Sequence, residues 1–349
     1  MNKELKIIVS ILITVIVIAG GILGYKIYRD KKNGDTDSAI SLGQEIISKK
    51  ENDEGPKPVT FAGNDRAIAV MIDNHEGARP QAGLNDAALV YEIIVEGGMT
   101  RLMPVFKGAN VEKIGPVRSS RHYFLDYALE NDAIYVHYGW SPQAQSDIST
   151  LNVNNINGIS ESSSNFSRVK EKSSPHNVVT SIEKIKKVAE GKKYRTTSST
   201  SSVLNYVTKE VNLDESTAIA NTIEIPFSNS YKVKYVYNAE SKRYVRYANN
   251  VKQTDWTTKE DVTTKNLIIT FAQNRSLNDG ENKGRQDLSN IGTLKGYYIT
   301  NGKAIEITCE KTSRKSQTVY RDLQGNIIDV NDGNTFVSVC PLDAALTIN

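Results

Sequence analysis

Cysteine and histidine are both scarce in this 349-residue sequence, which contains two cysteines and four histidines. Cys309 and Cys340 do not have the spacing of a metal-binding pair. Both occur in strand-like runs, so a disulfide across neighbouring strands and two buried free thiols are both open. The histidines form no His-x-His or HExxH motif, and the sequence therefore predicts neither a metal nor a cofactor.

Excess charge and internal repetition are also lacking. The formal net charge is only +3, and no basic stripe with interleaved aromatic residues occurs, so the sequence predicts no nucleic-acid partner. No period typical of a solenoid or a propeller is present. The composition, with 39% hydrophobic and 24% charged residues, is that of a globular protein, and the length allows two domains after the ends are removed.

One long apolar run is present, at the amino terminus. Ile7 to Leu23 contains no charged residue, and its 17 residues reach the lower limit for a transmembrane helix. We therefore predict a membrane anchor over residues 1–32 and a polar, flexible tether over residues 33–59. Cleavage after Ala19 is an alternative. Positive charges flank the run almost equally, so charge alone does not fix its orientation.

The region after the tether predicts an α+β fold. Strands and helices alternate over residues 60–195, which indicates a mixed α/β domain. Within it, Ser141 followed by Pro142 predicts a helix that extends to about Thr150. Residues 196–222 form a connector. Short strands with turn residues between them, including a hairpin at Asn301-Gly302, predict a β-rich domain over residues 223–349.

A glycine pair marks a hairpin in the first domain. If Gly97 and Gly98 form a two-residue turn, Ile94 pairs with Arg101 and Ile93 with Leu102. Strand alternation then places Glu92, Glu96 and Arg101 on one face of the sheet.

More positive charge follows this hairpin. Ser119 or Ser120 is suited to cap a helix over Arg121–Leu129, which would place Arg118 and Arg121 at the helix N-terminus. Arginines there can bind an anion through paired hydrogen bonds. The alternative is a structural ion-pair network in which they neutralise Glu92 and Glu96.

Four ordered motifs resemble those of YerB-like proteins, a family of predicted lipoproteins from Gram-positive bacteria with an N-terminal domain of unknown function and a distinct C-terminal domain. The motifs are Glu96-Gly97-Gly98-Met99-Thr100-Arg101, Gly115-Pro116-Val117-Arg118-Ser119-Ser120-Arg121, Val136-His137-Tyr138-Gly139-Trp140-Ser141 and Pro175-His176-Asn177. The resemblance implies attachment to the outer face of the cell membrane. Ile22-Leu23-Gly24-Tyr25 resembles a lipobox in which tyrosine replaces the acceptor cysteine, so retention would depend on the apolar segment itself.

The sequence offers one set of residues for ligand binding and a smaller one for catalysis. The predicted ligand-binding residues are Arg101, Arg118, Ser119, Arg121, His137, Ser141, His176 and Asn177. The weaker catalytic candidates are Glu92, Glu96, His137 and His176. Ser141 fails the G-x-S-x-G pattern of a nucleophile and is explained equally well as a helix cap.

These residues favour binding over catalysis. The leading prediction is a membrane-anchored, extracytoplasmic cell-envelope protein whose N-terminal domain binds an anionic ligand, such as a peptide carboxylate or an envelope polymer. The first alternative is a hydrolase or transferase of cell-wall polymer that uses Glu92 or Glu96 with His137 or His176. The second alternative is a scaffold that docks an envelope protein through the β-rich domain.

Overall fold

The computed structural model describes residues 57–213 and 218–349. The predicted anchor over residues 1–32 lies outside the described residues, as does most of the tether. Within the described part of the chain, no helix has both the length and the apolarity that a membrane crossing requires.

Strands dominate the described residues. In chain order they are β1 Ile68–Val70, β2 Ile72–Asp73, β3 Leu89–Ile94, β4 Thr100–Phe106, β5 Ile134–His137, β6 Asn155–Asn157, β7 Ser167–Arg168, β8 Val178–Val179, β9 Asn205–Val207, β10 Ala218–Ile219, β11 Thr222–Pro226, β12 Lys232–Asn238, β13 Arg243–Ala248, β14 Val251–Lys252, β15 Thr263–Thr264, β16 Asn266–Ser276, β17 Gln286–Ser289, β18 Gly292–Thr300, β19 Lys303–Lys311, β20 Val319–Asp322, β21 Asp329–Asn331, β22 Thr335–Pro341 and β23 Thr347–Ile348.

Helices are few, and those described all lie within the predicted first domain. They are α1 Phe124–Glu130, α2 Pro142–Thr150 and α3 Ile182–Gly191. The Ser141 hydroxyl accepts a hydrogen bond from the Ala144 N–H, which confirms the predicted cap and helix. The helix predicted over Arg121–Leu129 begins later, and Tyr123 precedes it without a side-chain cap. The prediction that Arg118 and Arg121 lie at a helix N-terminus is therefore wrong.

The larger sheet joins strands from both halves of the chain. Among the described residues its order is β10-β19-β18-β16-β22-β3-β4-β1-β5-β6, with β17, β2 and β20 paired to β16, β4 and β19. Strand β22 lies between β3 and β16 and runs parallel to both, with Val337 opposite Tyr91 and Ile268. Residues Pro58–Asn349 accordingly form one compact unit. The sequence had not predicted this pairing of β3 with a strand near the carboxyl terminus.

Apolar side chains cover both faces of this sheet. A second sheet, in the order β14-β13-β12-β11-β23 with β15 on β13, packs on the face that includes Ile94, Leu102 and Phe336. On the other face, α1 packs against side chains such as Tyr91 and Ile93. Alternate residues of β3 therefore belong to two different cores, and all six are buried.

The predicted hairpin is present, but its register differs by one residue. Ile94 pairs with Thr100 and Ile93 with Arg101, because Val95 to Met99 form a longer connection closed by a hydrogen bond from the Val95 N–H to the Met99 carbonyl. A shift of one residue moves the side chains of one strand to the opposite face. Glu92 therefore lies opposite Leu102, on the other face from Arg101.

The two cysteines lie in the sheet as free, buried thiols. Of the two states left open by the sequence, the structure therefore has the unpaired one. Burial raises the pKa of the Cys309 thiol to about 12, so this group remains protonated at neutral pH.

Candidate functional site

Asp73 is at the centre of the cluster that this structure brings together. It ends β2, and one oxygen of its carboxylate lies 2.7 Å from Nδ1 of His176 and 3.1 Å from Nε of Arg118. The other oxygen accepts a hydrogen bond from the His75 backbone N–H at 3.1 Å. Burial by itself would raise the pKa of Asp73, but Arg118, the His75 N–H and His176 outweigh it, so the pKa is lowered.

Two imidazole rings stack beside this carboxylate. The centroids of His75 and His176 are 4.5 Å apart, and the ring planes differ by 9°. The Gly77 N–H donates to Nδ1 of His75, and a Cβ added at Gly77 would lie 3.3 Å from the His176 ring. His75 is exposed, and the His176 side chain retains 19% of its accessible surface. No hydrogen bond from the described residues reaches Nε2 of His176, which leaves this atom free for a ligand.

The Arg118 guanidinium is partly exposed at this cluster. Its side chain is 28% exposed and contacts Asp73 through Nε. Within residues 57–213 and 218–349, its two terminal nitrogens make no hydrogen bond. Those nitrogens form the pair of donors with which arginine binds a carboxylate or a phosphate.

Arg101 and Arg121 form a buried network around Glu96. The Glu96 carboxylate accepts a hydrogen bond from Nε of Arg121, and its other oxygen lies 3.8 Å from Nη2 of Arg101. The two guanidinium groups also donate to the carbonyl groups of Ser119 and Ser120. Burial would raise the pKa of Glu96, but these arginines lower it. The ion-pair alternative therefore describes Arg101 and Arg121, with Glu96 as their carboxylate.

Arg101 connects the Glu96 network, of which it is a member, to the Asp73 cluster. It is opposite Asp73 in the pairing of β2 with β4. Its pKa is lowered to about 10, first by burial and then by Arg121, while Glu96 opposes the shift. Because Arg118 also lowers this pKa, the three arginines lie close enough to repel one another. Of the three, Arg118 alone is substantially exposed.

Glu92 belongs to a different, fully buried cluster. Nη2 of Arg246 lies 2.9 Å from both carboxylate oxygens, and neither side chain is exposed. Oε1 also accepts hydrogen bonds from the Tyr231 hydroxyl, the Thr100 hydroxyl and the Asn74 amide. The prediction that Glu92 and Glu96 share one sheet face is wrong, because β3 ends at Ile94 and Glu96 lies in the connection that leads to β4.

Three further candidates have structural partners instead of an open position. His137 is fully buried, with Nδ1 at 2.8 Å from the Gly139 carbonyl and Nε2 at 3.1 Å from the Asn155 side chain. Burial lowers its pKa. Ser141 caps α2, and the Asn177 amide group donates to the Val169 carbonyl and accepts from Arg168. Each of these three side chains is therefore engaged in hydrogen bonds within the protein.

Asp73 and His75 were missing from the predicted site. Asp73 ends β2 and His75 follows two residues later, and polar residues at the end of a buried strand are a signal that the sequence contained. Among the described residues, no group of three or more His, Cys, Asp or Glu side chains is arranged to hold a metal ion.

Two family descriptions match successive parts of the chain. "Protein of unknown function (DUF3048) N-terminal domain" matches residues 56–195, and the corresponding C-terminal domain matches residues 223–337. The chain is 32% identical over 290 residues to a Bacillus subtilis (strain 168) protein named "Putative lipoprotein YerB", covering 80% of this chain and 83% of that protein.

A solved structure has the same fold. The crystal structure of YerB from Bacillus subtilis superposes with a TM-score of 0.73 at 30% identity, over 84% of this chain and 97% of the crystallised chain. Both domains of the family are matched in order, and a relative above 30% identity covers most of the chain. The chain therefore belongs to the YerB-like DUF3048 family.

Proposed function

We propose that this chain is an extracytoplasmic, membrane-attached protein that binds an anionic ligand at Arg118, His176 and His75. Two observations support the location. The apolar run Ile7–Leu23 is long enough for an anchor, and the relative from Bacillus subtilis has lipoprotein in its name. Because Tyr25 replaces the lipobox cysteine, attachment would depend on the apolar run without an acyl chain.

The position of the Arg118 guanidinium supports the binding of an anionic ligand. Asp73 holds this guanidinium through Nε, so both terminal nitrogens remain in position and make no hydrogen bond to a described residue. Asp73 also orients His176, whose Nε2 is free beside the same carboxylate. An anion at this point would accept charge-assisted hydrogen bonds from the Arg118 guanidinium, which Asp73 already holds in place, and this reduces the entropy lost on binding.

A titration of the full-length chain in detergent with pyrophosphate tests this proposal. A charge-assisted hydrogen bond contributes about 1.5–3 kcal/mol, so Arg118→Ala should weaken binding by about tenfold or more. Arg275→Ala removes an exposed guanidinium that is paired with Asp287, and it serves as the matched control. Equal affinity for pyrophosphate in the wild type and in a folded Arg118→Ala variant would rule out the proposed function.

A second candidate is a hydrolase or transferase of cell-wall polymer, and the Asp73–His176 pair is the observation that favours it. A carboxylate on Nδ1 fixes the imidazole so that Nε2 can accept a proton, as in acid–base catalysis. Of the four predicted catalytic residues, His176 retains such an arrangement. Incubation with purified wall material should then release fragments in the wild type and none with His176→Ala. Saturable binding without products would exclude this candidate.

A further inference from the structure

Positive side chains continue away from Arg118 along the loop that contains His176. Lys172 lies four residues before His176, and its Nζ donates to the Arg79 carbonyl at 2.9 Å. Arg79 in turn donates from Nη2 to the Asn74 carbonyl at 2.8 Å, next to His75. The loop of Lys172 and the loop of His75 are therefore in direct contact.

Trp256 extends this region with a side chain from the second half of the chain. Its backbone N–H donates to the Gln81 carbonyl at 2.7 Å. Nζ of Lys172 lies 4.5 Å from the centre of the indole ring, and Nζ of Lys113 lies 4.7 Å from it. Nζ of Lys259 donates to the Trp256 carbonyl at 2.6 Å. Two ammonium groups from separate loops thus lie over one half-exposed indole, and a third contacts the backbone carbonyl of the same residue.

These lysines have no carboxylate partner among the described residues, although exposed carboxylates occur in the same loops at Glu76, Glu112, Glu171 and Glu260. The nearby Asp255 carboxylate accepts backbone hydrogen bonds instead, from Gly83, Thr257 and Thr258. Burial lowers the pKa of Lys172, and the positive charge of Lys259 lowers it further. The three ammonium groups at Trp256 therefore form no direct ion pairs within the described residues. We call Arg118, His75, His176, Lys172, Lys113 and Lys259 the basic strip.

We propose that the basic strip binds an extended phosphate polymer, with one phosphate at Arg118 and the following ones along the lysines at Trp256. This inference rests on the proposed function, because it uses the same Arg118 site as one end. A single small anion accepts hydrogen bonds from only a few donors, whereas the strip presents cations from several loops in succession. A polymer with a charge on every unit pairs with such a series and releases counterions at each contact.

Phosphate suits these donors better than carboxylate does. The donors come from separate loops, and a tetrahedral phosphate can accept from donors in several directions, whereas a carboxylate accepts close to one plane. Lysines bind phosphate as point charges, and arginine binds it with a pair of donors. The strip contains both kinds of cation.

Titration of the full-length chain in detergent with tripolyphosphate and with long-chain polyphosphate tests this inference. Lys113→Ala/Lys259→Ala should weaken the binding of long-chain polyphosphate by about fivefold for each lysine, since a lysine near a polyanionic surface contributes about 1 kcal/mol. Binding of tripolyphosphate at Arg118 should not change. The salt dependence of long-chain binding should also fall by about one counterion for each lysine.

Lys295→Ala/Lys315→Ala is the matched control, because it removes two exposed lysines on β18 and the β19–β20 loop. If Lys113→Ala/Lys259→Ala binds long-chain polyphosphate as this control does, the inference fails while the Arg118 site stands. If Arg118→Ala changes the affinity for neither probe, the proposed function fails as well. Equally tight binding of poly-L-glutamate would overturn the assignment to phosphate.

Discussion

Glu92 and Arg246 are both fully buried and bridge the two halves of the chain. Glu92→Gln would leave the Arg246 guanidinium charged and without its carboxylate. Loss of one partner of a buried ion pair costs about 3–5 kcal/mol, so we expect the free energy of unfolding to fall by that amount. Chemical denaturation followed by circular dichroism measures this change.

Glu310→Gln, at an exposed position on β19, is the control and should change stability by less than about 0.5 kcal/mol. Glu92→Leu/Arg246→Met removes both charges and should be less destabilised than the sum of its single variants. A Glu92→Gln variant as stable as the control would contradict the role of this pair.

The lowered pKa of Asp73 predicts a specific dependence of stability on pH. The folded pKa lies below the ordinary value of 3.8, so the stabilisation is fully present above that value and is lost as pH falls through the folded pKa. The difference in unfolding free energy between the wild type and Asp73→Asn should therefore shrink as pH falls below about 4. Denaturation curves across this range provide the measurement, and a difference that grows in acid would argue against the assigned contacts.

Sequence reasoning located part of the site at the scale of single residues. It placed Arg101, Arg118 and Arg121 together because charged motifs flanked a predicted hairpin. It did not identify Asp73, since a lone aspartate after a strand has many possible partners. It also placed His137 in the site, because a histidine at a strand end looks the same whether its ring is buried or exposed.

At the scale of elements, the glycine hairpin shows why register was harder to predict than the hairpin itself. Gly97-Gly98 correctly marked a turn, but both glycines lie inside a longer connection with φ of 67° and 70°. Turn length sets the register of a hairpin, so one extra residue moved Glu92 away from Arg101. Helices with a local signal, such as Ser141-Pro142 before α2, were predicted correctly because the cap and the first turn are close in sequence.

The two glycines of this turn should respond differently to alanine. Both substitutions place a side chain at positive φ, which costs about 1 kcal/mol. A Cβ at Gly97 would meet nothing within 4 Å, whereas one at Gly98 would lie 2.7 Å from Oγ and 2.8 Å from Cβ of Ser228. Gly98→Ala should therefore be more destabilising than Gly97→Ala, as measured by thermal unfolding.

The Ser228 contact can be tested separately. In a Ser228→Gly background the excess cost of Gly98→Ala should shrink, since both contacting atoms are removed. If the two alanine variants unfold at the same temperature in the wild-type background, the predicted contact with Ser228 is absent.

At the scale of the whole molecule, β22 determines which C-terminal truncations the fold tolerates. All seven residues of this strand are buried, and it pairs with β3 and β16, which come from different halves of the chain. A chain that ends at Asn334 should therefore fail to fold. One that ends at Pro341 loses β23 beside β11 and the partly buried Ala344 and Leu346, and it should remain folded with a lower melting temperature. Circular dichroism and size-exclusion chromatography distinguish these outcomes. Cooperative unfolding of the shorter chain would contradict this role of β22.

This pairing was beyond sequence reasoning because a parallel contact between residues 89–93 and 335–339 has no local signature. It also affects the scaffold alternative. Removal of the residues after Ile223 would expose β3 and eliminate Arg246, so such a deletion cannot leave the first half intact. Substitutions on the exposed surface of the second half are the appropriate test of docking.

The position of β22 also bears on the order in which the chain acquires its structure during synthesis. Translation proceeds from the amino terminus, so residues 335–341 leave the ribosome after both β3 and β16. Until then β3 and β16 each have an unpaired edge, and Glu92 is not yet covered by β22. We therefore expect the nascent chain to remain incompletely folded until β22 has emerged, and to depend on protection from aggregation until then.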